Sequence, residues 1–231
     1  MLAEHRTLAY LFTTSSNHIR RLYRLPPPAS LLPQITMDFP LDLRFKTIAL
    51  SPQISVTEPS GRIVAYVRQK AFKLKEAVTV FGDVAQTRPL YTIAADRVFD
   101  ISAQYHIEDV SGSQLGVLQR QGMRSFWKAH YEINRAGQPL FTVREENPWI
   151  KIIDGVLGEI PIIGMLSGYA FHPAYRVTRA GTDAAVLRLV KRPALFEGRY
   201  SIERLAVLAQ DEELLAILGL LMLVLMERSR G

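Results

Sequence analysis

Leu214-Leu215-Ala216-Ile217-Leu218-Gly219-Leu220-Leu221-Met222-Leu223-Val224-Leu225-Met226 is an apolar run without a break. Asp211, Glu212 and Glu213 precede it, and Glu227, Arg228 and Arg230 follow it. Leucine and methionine favour helix, and acids at the start with arginines at the end complement the helix dipole. A helix apolar on every face is buried in protein or in lipid. Thirteen residues at ~1.5 Å each cover about 20 Å. That is short of the roughly 30 Å hydrocarbon core of a bilayer. The run therefore predicts a core helix over about residues 211–228, with a membrane-inserted helix as the competing reading.

Such a helix needs a sheet on all sides. From Met37 to about Tyr200 the pattern is β, with apolar runs alternating between Gly, Pro and Asp turns. Ile63-Val64-Ala65-Tyr66-Val67 and Ala77-Val78-Thr79-Val80-Phe81 are typical. The alternation rule gives about twelve strands. An eight-stranded barrel is filled by its own side chains, whereas about eleven strands can house a central helix. The expectation is a mainly β protein, a closed antiparallel barrel of about twelve strands around a buried hydrophobic C-terminal helix.

A weak repeat supports successive hairpins. Tyr105-His106-Ile107 precedes Gly112, Tyr131-Glu132-Ile133 precedes Gly137, and Tyr175-Arg176-Val177 precedes Gly181. Ile54-Ser55-Val56 with Gly61 is a degenerate copy. Each copy reads as strand, glycine turn, strand, the glycine supplying the positive φ of a tight hairpin. Ile150 to Phe171 is apolar but interrupted by Lys151, Asp154, Glu159 and Pro161. It reads as a short helix or loop closing one barrel end.

Residues 1–36 differ from the rest. They hold four of the 28 basic residues and one of the 22 acids, so half of the formal net charge of +6 lies here. Pro26-Pro27-Pro28 and Pro33 end the stretch as an extended linker. Three readings stay open: a disordered tail, a segment upstream of a true start at Met37, or an Arg- and Ser-rich organelle-targeting peptide. The domain proper is residues 37–231. Its mild basicity gives nucleic-acid binding little support.

The chain has no cysteine. That excludes disulfides, thiolate metal sites and cysteine nucleophiles, and fits a reducing, cytoplasmic setting. The five histidines, His5, His18, His106, His130 and His172, form no short-spaced ligand pair. His106 and His130 adjoin repeat tyrosines and read as strand residues. Phosphate-binding, nucleophile-elbow and zinc-protease motifs do not occur. The expectation is a protein that is not an enzyme, with no catalytic residue, cofactor or metal. The best candidate contact is a basic hairpin in which Arg68 and Lys70 share a strand face, as do Lys73 and Lys75, with Arg62 nearby. Converging cations could hold an anionic headgroup, and the plainer reading is a solvated strand face. Arg188, Lys191 and Arg192 form a second group with the same two readings.

Specific residues also carry a resemblance. Gly61-Arg62-Ile63-Val64-Ala65-Tyr66-Val67-Arg68-Gln69-Lys70 runs into Ala71-Phe72-Lys73-Leu74-Lys75-Glu76, followed by Pro89-Leu90-Tyr91-Thr92-Ile93. Ile107-Glu108-Asp109 with Gly112 and Leu115-Gly116 comes next, and Phe196-Glu197-Gly198-Arg199-Tyr200-Ser201-Ile202 precedes the last helix. Over about residues 40–228 this order resembles the LURP-one-related and phospholipid-scramblase-like proteins, grouped with the tubby C-terminal domain. The resemblance implies a twelve-stranded barrel around a C-terminal helix. It also implies a lipid-binding module, peripheral at a membrane, with anionic phospholipid or a protein as partner. The alternatives are a structural or protein-interaction barrel that binds no lipid and a scramblase-like membrane protein. Against the last, Asp211-Glu212-Glu213 lack the alternating oxygen spacing of a calcium loop, and the lipidated cysteines of scramblases have no counterpart.

Overall fold

The computed structural model describes residues 36–46, 53–68, 77–97, 103–120, 130–146, 174–194 and 197–228. They belong to one compact unit, Thr36–Gly231. Residues 1–35, and with them most of the N-terminal segment, lie outside the described residues, as does Ile150–Phe171.

Twelve strands follow one another: β1 (Leu41–Lys46), β2 (Gln53–Thr57), β3 (Ile63–Arg68), β4 (Val78–Phe81), β5 (Pro89–Ala95) and β6 (Gln104–Asp109). Then come β7 (Gln114–Arg120), β8 (His130–Arg135), β9 (Gln138–Glu145), β10 (Ala174–Arg179), β11 (Ala185–Arg192) and β12 (Glu197–Arg204). Helix α1 (Gln210–Arg228) ends the described chain. Each strand pairs antiparallel with the next, and β1 pairs with β12 from Leu41↔Ile202 to Lys46↔Glu197, which closes the barrel. Closure leaves no free sheet edge. Among the described residues the loosest seam is β3–β4, registered only at Tyr66↔Phe81.

The expected hairpin glycines all take the left-handed conformation. Gly61, Gly112, Gly137 and Gly181 have φ of 84°, 80°, 75° and 73°. Each follows an even-numbered strand, so these turns share one rim, which we call the turn rim. At the opposite rim the odd-numbered strands end and the even-numbered strands begin.

Along each strand alternate residues point inward. Leu41, Leu43 and Phe45 on β1, Ile54 and Val56 on β2, and Tyr131 and Ile133 on β8 are buried. These layers surround α1, in which every residue from Leu215 to Met226 is buried. The helix therefore has no polar face, unlike the amphipathic helices that pack on one side of a sheet. Its side chains meet β7, β8, β10, β12 and β1, which lie around the ring. Gly219 makes room for this. A Cβ there would come within 2.6 Å of Ile133 Cδ1, which explains a residue that costs a helix about 1 kcal/mol relative to alanine.

Among the described residues, no helix is long and apolar enough to cross a membrane. Leu221 is fully buried. Leu221→Ala should lower unfolding stability by about 2–5 kcal/mol. Leu221→Arg, an unpaired buried charge, should abolish soluble expression, because the cost approaches the roughly 5–15 kcal/mol that holds a domain folded. Soluble yields equal to the parent's for Leu221→Arg would place that side chain outside the core.

Candidate functional site

The two ends of α1 show how the barrel holds it. Strands β8, β10 and β12 run in the same direction, and each carries Tyr-x-Ile/Val-x-Arg: Tyr131-Glu132-Ile133-Asn134-Arg135, Tyr175-Arg176-Val177-Thr178-Arg179 and Tyr200-Ser201-Ile202-Glu203-Arg204. The period of two puts the tyrosine, the β-branched residue and the arginine of each strand on the inner face. The tyrosines lie at one end of α1 and the arginines at the other.

At the turn rim the three arginines take the three consecutive acids of the first helical turn. Arg135 meets Asp211 at 2.6 Å, Arg179 meets Glu212 at 2.8 Å, and Arg204 meets Glu213 at 3.5 Å. Arg204 also donates to the Met37 carbonyl at 2.7 Å and stacks on Phe39. The acids therefore do more than complement the helix dipole: each ties α1 to a different strand. At the far end Tyr131 donates from its hydroxyl to Glu227 at 3.1 Å. Burial pushes the Tyr175 phenol well above its ordinary range, and the charges of Glu227 and Glu145 push it further. Arg228 stacks on Phe45. Among the described residues no group of His, Asp or Glu is placed to hold a metal ion.

Of the predicted contact residues, the two that the structure describes, Arg62 and Arg68, stand apart. Arg62 stands immediately before β3 and donates from Nε to Glu58 at 2.7 Å, and its Nη2 also contacts that carboxylate. Glu58 is 4% exposed and accepts the Asp38 N–H as well. Arg62 thus braces the β2–β3 turn. Arg68 ends β3 at the opposite rim, about 20 Å away at ~3.3 Å per residue. Lys70, Lys73 and Lys75 lie outside the described residues. The register gives Arg68 a different cationic neighbour: Lys46 opposes Gln53, and Gln53 opposes Arg68. Lys46 and Arg68 are both exposed and stand about 10 Å apart in one cross-strand row. Sequence inspection confined to the Arg62–Lys75 stretch could not supply Lys46, since strand pairing alone brings it there.

His106 lies within β6 and His130 opens β8, as expected. Burial lowers the His130 pKa, and the positive charge of Arg144 lowers it further. A cleft of about 450 Å³ opens over β6, β7 and β8, lined mainly by amides and glycines, including Gln104, Gln119 and Asn134. Asn134 Oδ1 is buried without a hydrogen-bond partner.

A closed twelve-stranded antiparallel barrel with a C-terminal helix enclosed and anchored at both ends defines the class of this protein. Residues 63–203 match the LURP-one-related family. The match spans more than half of the chain, and the chain belongs to that family. No curated protein matches it. Among solved structures, the chain is similar to the X-ray structure of a protein from Arabidopsis thaliana, at 14% identity and a TM-score of 0.45, over 86% of this chain and 96% of that one.

The anchoring acids respond to pH in opposite directions. The hydrogen bond from Arg135 holds the Asp211 carboxyl below its ordinary value, so its stabilisation is present at neutral pH and is lost as pH falls through that lowered value. Burial raises the Glu213 carboxyl despite Arg204. Its charge therefore costs stability at neutral pH, and the cost is relieved as pH falls. At neutral pH Asp211→Asn should lose stability, by about 1 kcal/mol or less for so exposed a pair, and the loss should vanish in acid. Glu213→Gln should match or exceed the parent at neutral pH. Urea titrations across pH check both signs.

Proposed function

We propose that this protein is a non-enzymatic binding module for anionic surfaces, phospholipid headgroups above all, and that it docks through the rim opposite the turn rim. The observation that carries this reading is the row Lys46–Gln53–Arg68 at that rim, two exposed cations on alternate strands. Residues 69–77, which contain Lys70, Lys73 and Lys75, join the end of β3 to the start of β4. The end of β3 and the start of β4 that flank them lie at that rim. Among the described residues, the cations of the turn rim are mostly committed to partners. There Arg62 is committed to Glu58, and Arg135, Arg179 and Arg204 are committed to the helix acids.

Binding of this kind is electrostatic and weakens with salt. The parent should sediment with vesicles rich in anionic phospholipid at low ionic strength and remain in the supernatant with vesicles of phosphatidylcholine alone. At about 1 kcal/mol per basic residue near the surface, Lys46→Ala/Arg68→Ala should weaken vesicle binding by roughly tenfold to thirtyfold. Equal sedimentation of that variant and the parent would remove this rim from the interaction.

A further inference from the structure

The outer wall of the barrel carries a second cationic feature, which reaches that rim at Arg192 and at Arg44, two residues from Lys46 on β1. Arg144 on β9 opposes Arg176 on β10, and Arg176 opposes Arg188 on β11. Four residues further along β11, Arg192 opposes Arg199 on β12, and Arg199 opposes Arg44 on β1. Two rows of three arginines thus stand in strand register. The rows are offset along β11 by four residues, about 13 Å. Like charges directly opposite on neighbouring strands destabilise a sheet, and shared carboxylates offset that repulsion here.

Among the described residues three carboxylates pair with five of these six guanidiniums, and the charge of Glu197 also acts on Arg199. Glu146 accepts from Arg188 at 2.8 and 2.9 Å and from Arg176 at 3.4 Å. Glu203 lies 3.0 Å from Arg192 and 3.6 Å from Arg188. Asp42 accepts from Arg199 at 2.9 Å and from Arg44 at 2.7 Å. Arg144 has no ion pair among the described residues, and Arg44, Arg176, Arg192 and Arg199 remain 44–50% exposed. The half-exposed guanidiniums of Arg44, Arg176, Arg192 and Arg199 keep part of their surface open to solvent, and a guanidinium's planar fork suits further carboxylates.

We propose that this face binds an extended acidic polypeptide segment of another chain, its carboxylates laid across the two arginine rows. The shape argues against a flat bilayer, since the band runs from β9 to β1 around about a third of a closed barrel and a plane touches such a wall only along a line. The chemistry argues against single-stranded nucleic acid, which needs aromatic platforms for its bases. In strand register between the rows lie Ala174, Val190, Ser201 and Asp42, none of them aromatic. The chain's own N-terminal segment is a poor occupant, because residues 1–36 hold one acid, Glu4.

The test uses the full chain and a fluorescent oligoglutamate of about ten residues, long enough in extended form to cross both rows. Fluorescence anisotropy should show binding at low salt that weakens as salt rises. Arg144→Gln/Arg176→Gln/Arg192→Gln should bind about tenfold more weakly or worse, with its thermal midpoint reporting the fold. The corresponding triple lysine variant, which keeps the charge and loses the fork, should fall between the two. Arg68→Ala, two strands away from Arg44, should bind the peptide as the parent does, which separates this face from the β3 end of the rim. Three results would each overturn the proposal: no binding by the parent, equal binding by the glutamine variant, or tighter binding of oligothymidylate than of the peptide.

Discussion

A helix with no polar face has to be surrounded, and α1 dictates what surrounds it. Its buried stretch, Leu215 to Met226, would expose apolar surface on at least one side against any open sheet. Only a sheet that returns on itself covers every face at once. Twelve strands give a ring wide enough for a helix of roughly 10 Å diameter with its side chains. The β1–β12 pairing closes that ring, and Gly219 on the helix marks a position where there is no room for another methyl group.

Burying the helix body leaves its two polar ends to be matched. Three successive acids need three separate cations, and the repetition of one short motif on β8, β10 and β12 provides them. The same motif places a tyrosine at the opposite end of each strand, where the Tyr131 hydroxyl takes Glu227. Apolar burial drives the helix inside, and the polar ends fix its direction and register. The exposed ion pairs add little stability individually. Their larger contribution is that any other registration of the helix leaves Glu213, which is nearly buried, without its arginine.

Features governed by local pattern were legible in the sequence. The helix followed from its apolar run, the strands from alternation, and the turns from glycines whose φ values all proved positive. Two of the three anchoring strands were seen as repeat copies, at Tyr131 and Tyr175, but their arginines were missed, and Tyr200 on β12 was not counted as a copy. Arg135, Arg179 and Arg204 acquire meaning only when the helix folds back along the barrel axis and brings Asp211, Glu212 and Glu213 to them. Cross-strand rows were equally out of reach. Lys46 and Arg68 are 22 positions apart, and Arg44 and Arg199 are 155 apart, so only register makes them neighbours. The Arg62–Glu58 pair was readable as an i, i+4 contact, but Glu58 precedes the stretch in which cations were sought.

The inside of this barrel is committed to its own helix, which leaves the rims and the outer wall for recognition. That division depends on α1 being enclosed, and the absence of cysteine makes enclosure directly measurable. Leu221→Cys gives a chain with one thiol, and Val207→Cys gives a control at a position 87% exposed. Under native conditions the Cys introduced at 221 should resist maleimide labelling and react only once denaturant unfolds the barrel, while the control labels at once. Labelling of both positions at the same rate in the folded protein would contradict an enclosed helix.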